Sequence, residues 1–208
     1  MTPPLTLDLA AVIVFALTGA LAASRAQLDI VGFMFFACLT GVGGGTVRDL
    51  LLGRDPVFWV GAPSYIVIAA AAAVVVFFTA HHLENRLKAL VWLDAVALAV
   101  AVAAGVAVAL GQTDRRFIQV LMGIVTGCMG GLMRDVVAGA VPLVLKQGEL
   151  YVTAAFAGAA AGVATLALDT HPALPLLACI AVTFALRAGS IAFGWRLPVY
   201  KARPPRNF

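Results

Sequence analysis

Polar residues gather in clusters along this chain, and long apolar stretches run between them. Breaking the sequence at the clusters leaves seven stretches, at about 8–24, 30–53, 63–80, 89–110, 117–139, 150–168 and 173–195. At ~1.5 Å per residue, each is long enough to cross a ~30 Å hydrocarbon layer as a helix. None alternates apolar and polar residues as a barrel strand does. Lipid offers the backbone no hydrogen-bond partner, so a spanning segment must close its bonds internally. The pattern predicts an all-α membrane protein with seven transmembrane helices.

The second and fifth stretches are interrupted in the same way. Thr40-Gly41-Val42-Gly43-Gly44-Gly45-Thr46-Val47-Arg48-Asp49 interrupts one, and Thr126-Gly127-Cys128-Met129-Gly130-Gly131-Leu132-Met133-Arg134-Asp135 the other. They align without a gap at an offset of 86 residues, the separation of Gly45 and Gly131. The same offset lays Asp8 on Asp94, Gly19 on Gly105, Gly53 on Gly139, Pro56 on Pro142 and Tyr65 on Tyr151. A duplication follows: a first three-helix repeat over 8–80, a second over 94–168, a lone seventh helix over 173–195 and a basic tail over 196–208. An odd number of spans per repeat forces the second copy to be inverted in the membrane.

Composition narrows the function. Hydrophobic residues make up 62% and charged residues 12% of the 208, where soluble domains carry about 25% charge. Mean hydropathy is +1.02. That excludes a disordered chain, a basic nucleic-acid-binding domain and most soluble enzymes. Cys38, Cys128 and Cys179 are an odd, scattered set in apolar surroundings. They read as small buried hydrophobes, with no disulfide framework and no metal site. Met1-Thr2-Pro3-Pro4 has no basic n-region, which argues against a cleaved signal peptide.

Charge also orients the chain. The face shared with the N-terminus carries Arg48, Arg54, Arg115 and Arg116, beside Asp8, Asp49, Asp55, Asp114 and Asp169. The opposite face carries Arg25, Arg86, Lys88, Arg134, Lys146, Arg196, Lys201, Arg203 and Arg206. This excess predicts a cytoplasmic C-terminus and an external N-terminus. Two readings stand for the tail from Lys201 to Arg206: contact with anionic headgroups, or a solvated positive-inside tail.

Glycine inside a helix costs about 1 kcal/mol relative to alanine. Gly43, Gly44 and Gly45 in a row therefore predict a bent or opened helix. Irregular backbone at membrane depth persists only when buried in protein or lining a wet cavity. Breaks at matching places in two inverted copies point to a transport site. Carbonyls freed at such a break suit a cation, and the following helix N-terminus suits an anion, so the break alone leaves the ion's sign open. Close helix packing is the competing reading, and Gly158 with Gly162 reads as packing alone.

Arg48-Asp49 and Arg134-Asp135 follow the two breaks by one turn. Ionisable residues in a span face a bundle interior or a wet cavity. Alternatively these pairs snorkel to the interface, since Arg48 lies about 27 Å along a helix counted from Ile30. Asp8 and Asp94 read as solvated helix starts. Tyr65 and Tyr151 read as an interfacial aromatic belt, with a gating or capping hydroxyl as the alternative. Arg187 meets either headgroups or an interior carboxylate. His81, His82 and His171 fall in loops. Pro56 and Pro142 read as terminators of the broken helices. Dinucleotide and phosphate-loop fingerprints, a nucleophile elbow, His-Glu-x-x-His and a Thr-Val-Gly-Tyr-Gly potassium filter are all missing.

The run Gly41-Val42-Gly43-Gly44-Gly45-Thr46-Val47-Arg48-Asp49-Leu50-Leu51-Leu52-Gly53, its copy through Arg134-Asp135 and the 3+3+1 helix plan resemble the prokaryotic trimeric intracellular cation channels. The second motif departs from the first, with Met129 in place of Gly43, which implies a shallower kink. The resemblance implies a homotrimer in a bacterial or archaeal inner membrane, each protomer with its own pore. It implies passive conduction of monovalent cations, chiefly potassium, between two kinked helices, with no cofactor and no nucleic-acid partner. It places the kinks at Gly41, Gly43, Gly44, Gly45, Gly127, Gly130 and Gly131. Beside them it places Thr40, Thr46, Arg48, Asp49, Thr126, Arg134, Asp135, Tyr65 and Tyr151. A lining of alanine, valine and glycine without a carbonyl filter predicts weak discrimination of potassium from sodium. Related bacterial sequences are also described as small-solute transporters, including for glycine, which keeps an alternating-access carrier as the second reading.

Overall fold

A computed structural model describes residues 3–168, 171 and 173–198, without the side chains of residues 3–5. Asp169 and the tail residues Lys201, Arg203 and Arg206 lie outside the described residues. The long helices are α1 (Pro3–Arg25), α2 (Ile30–Leu51), α4 (Ser64–Thr79), α5 (Arg86–Leu110), α6 (Arg116–Val137), α7 (Val152–Thr165) and α8 (Leu174–Phe193). A four-residue helix, α3 (Phe58–Gly61), was not expected from the pattern. A 3₁₀ turn, Leu166–Leu168, extends α7. Six helices have the length and apolarity to cross a membrane, and Val152–Leu168 is a shorter apolar helix. The chain is a multi-pass, all-α membrane protein.

The bundle is organised around α5, the most buried of the six spans. Its sequence from Asp94 to Ala109 is alanine, valine, glycine and leucine after the one aspartate. Small side chains let backbones approach closely where lipid gives helices no hydrophobic reason to associate. Accordingly α5 packs against α1, α6, α7 and α8 at once. At the periphery, α4 and α8 turn Val67, Val75, Phe78, Leu177 and Phe193 outward, as lipid-facing surfaces require.

The helix ends have identifiable causes. Asp29 caps α2 by accepting from the amide of Gly32, and Asn85 caps α5 through the amide of Lys88. At the other end of α2, Gly53 has φ +65°, its amide bonds Leu50 O, and the Arg54 amide bonds Asp49 O. This is a Schellman ending, in which glycine takes the left-handed position without penalty. Gly139 repeats it after α6, also at φ +65°, with its amide on Val136 O and the Ala140 amide on Asp135 O. These glycines end the helices, and Pro56 and Pro142 come too late to do so.

Of the two forms expected at the glycines, bent or opened, the opened one is corrected. Helix runs without interruption through Gly43–Gly45 and through Gly127–Gly131. No backbone carbonyls are freed there, because these glycines are spent on close approach to neighbouring helices.

Candidate functional site

The centre of the molecule is the crossing of α2 and α6. A Cβ on Gly44 would collide with the carbonyl oxygen of Thr126, and one on Gly130 with the carbonyl of Thr40. The two contacts exchange under the 86-residue offset, so they are one contact made twice. Thr40 and Thr126 are buried, and each hydroxyl donates to its own helix, to Phe36 O at 2.6 Å and Met122 O at 2.7 Å. Their hydroxyls are therefore satisfied locally. The flanking glycines serve other neighbours. Gly41 faces Val12 and Ala16 of α1, and Gly127 faces their counterparts Leu98 and Val102 of α5. Gly43 faces Met133, while Gly45 lies under the Phe58 ring.

Buried charge flanks the crossing on both faces. Arg48 is fully buried. Its guanidinium donates to Asp8 Oδ1 at 2.7 Å and to Asp49 Oδ1 at 2.8 Å, and it lies over the Phe58 ring. Asp49 also accepts from Arg54 Nη1 at 2.9 Å and, through Oδ2, from the Phe58 amide. Thr46 accepts from Trp59 Nε1 at 2.9 Å and so ties α3 to α2. On the other face Arg134, also fully buried, donates to Asp94 Oδ1 and Asp135 Oδ1, both at 2.8 Å, and to the Thr18 hydroxyl at 2.9 Å. Asp135 Oδ2 accepts from the Leu143 amide.

This settles which way the Arg-Asp pairs point: inward, with no snorkelling. Asp8 and Asp94 are corrected from solvated helix starts to the buried partners of those arginines, at 7% and 0% exposure. Tyr65 and Tyr151 are likewise corrected from an interfacial belt to core residues. Tyr65 packs edge-on against Phe58, and Tyr151 lies beneath Arg187. A carboxylate 40 residues ahead of each arginine was the missed signal, since a buried guanidinium needs an opposite charge.

The two clusters differ in completeness. Beside Gly131 the Tyr151 hydroxyl, Asp94 and Arg134 crowd together, but Asp94 Oδ2, Arg134 Nη2 and the Tyr151 hydroxyl make no well-formed hydrogen bond among the described residues. In the first unit the place beside Gly45 is taken by the Phe58 ring instead; the 86-residue offset lays Phe58 on Val144. Next to the second cluster, a cavity of about 320 Å³ is lined by Ala22, Arg25, Leu90, Asp135, Ala140 and Lys146, among others. A smaller pocket reaches from Asp8 to Gly44 and Thr126 on the other face. Arg187 is buried in α8, with Nη1 2.8 Å from Glu149 Oε2 at an angle too poor for a hydrogen bond. Gly158 and Gly162 receive α8 at Thr183 and Cys179, a packing role.

A family model described as "Glycine transporter" matches twice, over residues 5–81 and 91–167, with both bounds displaced by 86. The structure of the trimeric intracellular cation channel orthologue from Rhodobacter sphaeroides is 43% identical, covers 93% of this chain and 100% of that chain, and superposes with a TM-score of 0.90. A second solved structure, described as a basis for conductance through these cation channels, is 26% identical over 96% of this chain and 98% of its own, with a TM-score of 0.84. A UPF0126 membrane protein of Vibrio cholerae is 38% identical, covering 93% of this chain and 81% of its own length. The UPF0126 inner membrane protein YadS of Escherichia coli K12 is 34% identical, covering 93% and 94%.

Proposed function

The chain belongs to the prokaryotic trimeric intracellular cation channel family, and we propose that it is a potassium-permeable channel that passes sodium as well. In this reading it assembles as a homotrimer, and each protomer carries its own path between α2 and α6. The two three-helix units lie inverted in a bacterial inner membrane, with the N-terminus outside and the C-terminus in the cytoplasm. The observation that carries the reading is the pair of buried Arg-Asp clusters, one on each face of the glycine crossing. The path is bordered by small residues, and the uncompensated charge of the two clusters is the one negative charge at Asp94, Asp135 and Arg134, which favours cations over anions electrostatically. Nothing in it replaces a hydration shell selectively, so potassium and sodium are separated weakly.

Purified protein in planar bilayers tests this directly. Single-channel currents should reverse with the potassium gradient, and partial substitution by sodium should shift the reversal potential only slightly. A reversal potential that follows chloride overturns it.

One observation favours a second reading. The cavity of about 320 Å³ places the carboxylate of Asp135 beside the basic side chains of Arg25 and Lys146, a set that suits a zwitterion. A carrier for glycine or another small solute would saturate and show counterflow in proteoliposomes, whereas a channel would not.

A further inference from the structure

Arg54 and Ala140 occupy matching positions in the two units, and the difference between them leaves one site filled and the other bare. In the first unit two carboxylates, Asp8 and Asp49, face two guanidinium groups, Arg48 and Arg54. In the second, Asp94 and Asp135 face Arg134. The first cluster is neutral and the second retains one negative charge. Around Asp49 and Asp135 themselves the geometry is repeated. Asp49 and Asp135 each accept from the neighbouring arginine's Nε at 2.8 Å and from a backbone amide on the returning loop at 2.9 Å. Among the described residues only Asp49, through Oδ1, has a further donor, Arg54 Nη1 at 2.9 Å. Where that side chain lies in the first unit, the second has the methyl of Ala140, and Ala140 and Asp135 both line the cavity of about 320 Å³.

We propose that Arg54 is the tethered occupant of a guanidinium-sized cation site on Asp49, and that the counterpart site on Asp135 takes a free monovalent cation from the cavity. The natural ligand class is a small cation with N–H donors, guanidinium or a primary ammonium, because the first unit holds such a donor at that carboxylate. Arg25 and Lys146 stand on the same wall. Arg25 is exposed, and Lys146 is partly exposed and leans toward Glu149 Oε1 at 3.9 Å, so water screens both at the mouth. Asp135 lies at the buried end. The site deepens the channel reading by giving the path a binding step at one end.

The test uses guanidinium chloride at tens of millimolar, far below the molar range in which it denatures. Choline chloride at equal ionic strength is the control, since choline has no N–H donor. Guanidinium should raise the melting temperature of the purified protein by a few degrees over choline. Ala140→Arg should abolish that increment, because its own side chain fills the site. Arg54→Ala should melt lower in choline and show a larger increment, having two vacant sites. Equal increments in the parent and Ala140→Arg overturn the proposal, as does no increment in either the parent or Arg54→Ala. Should Ala140→Arg fail to assemble, Asp135→Asn replaces it, with the same expected loss of increment. In bilayers, guanidinium added on the cavity side should reduce the potassium current. A conducting parent that guanidinium neither stabilises nor blocks sinks the site and leaves the channel. A parent that guanidinium stabilises but that carries no cation current sinks the channel and leaves the site.

Discussion

Removing the charge of Asp94 without changing its shape tests whether the second cluster holds α5 to α6. Asp94→Asn keeps the volume, so no cavity term enters. Both side chains of the Asp94–Arg134 pair are fully buried, 2.8 Å apart. Breaking a buried pair by neutralising one partner costs about 3–5 kcal/mol, because the other charge is left uncompensated. Arg134 keeps Asp135 and the Thr18 hydroxyl, which points to the lower end, ~3 kcal/mol. At roughly 2–4 °C per kcal/mol for a chain of this size, the midpoint should fall by roughly 6–12 °C. Asp8→Asn should cost less. The Asp8 side chain is 9% exposed, and Arg48 keeps both Asp49 and the Phe58 ring. Asp29→Asn is the control, since asparagine caps a helix as well as aspartate does. The assay is thermal unfolding in detergent, read as loss of the folded peak on size exclusion after heating. A midpoint for Asp94→Asn within about 2 °C of the parent refutes the reasoning, and so does a larger loss for Asp8→Asn than for Asp94→Asn.

Gly44→Leu and Gly130→Leu should each force α2 and α6 apart and alter conductance or gating beyond any loss of stability; two variants that assemble and conduct like the parent would reduce this crossing to scaffolding. Gly53→Ala and Gly139→Ala should each cost about 1–2 kcal/mol, equally, because both sit at φ +65° with nothing within 4 Å of a Cβ; their melting midpoints check it. Arg187→Met should cost much less than Arg134→Met, because Arg187 has no well-directed hydrogen bond among the described residues and an apolar replacement of similar volume can be neutral. Comparable losses in melting temperature would mean that a group outside the single chain satisfies Arg187.

The helices and their number were legible because lipid makes the apolar period decisive: predicted 30–53 became Ile30–Leu51, and 89–110 became Arg86–Leu110. The short α3 escaped because four residues, Phe58 to Gly61, carry no period. It exists because Asp49 Oδ2 receives the Phe58 amide and Thr46 receives Trp59, tertiary contacts that local pattern does not encode. Burial of Asp8, Asp94, Tyr65 and Tyr151 escaped for the converse reason. Position near a helix end suggested water, and only the partner arginine on another helix reverses that.

The unopened backbone at Gly43–Gly45 and Gly127–Gly131 shows where a single-helix rule falls short. A cost of about 1 kcal/mol per glycine opens a helix only if nothing offsets it, and in lipid an opened helix costs several kcal/mol per unpaired backbone group. Continuity therefore wins, and the missing side chains are used where Gly44 meets Thr126 and Gly130 meets Thr40. The offset already contained this: Thr40 maps to Thr126 and Gly44 to Gly130, so two like helices crossing about a two-fold must set one threonine against the other's glycine. An ion path at that crossing then has no opened backbone to line it. In the proposed channel the path would be bordered by packed glycine and threonine surfaces of α2 and α6, so that helix separation, rather than a coordinating carbonyl, would control passage.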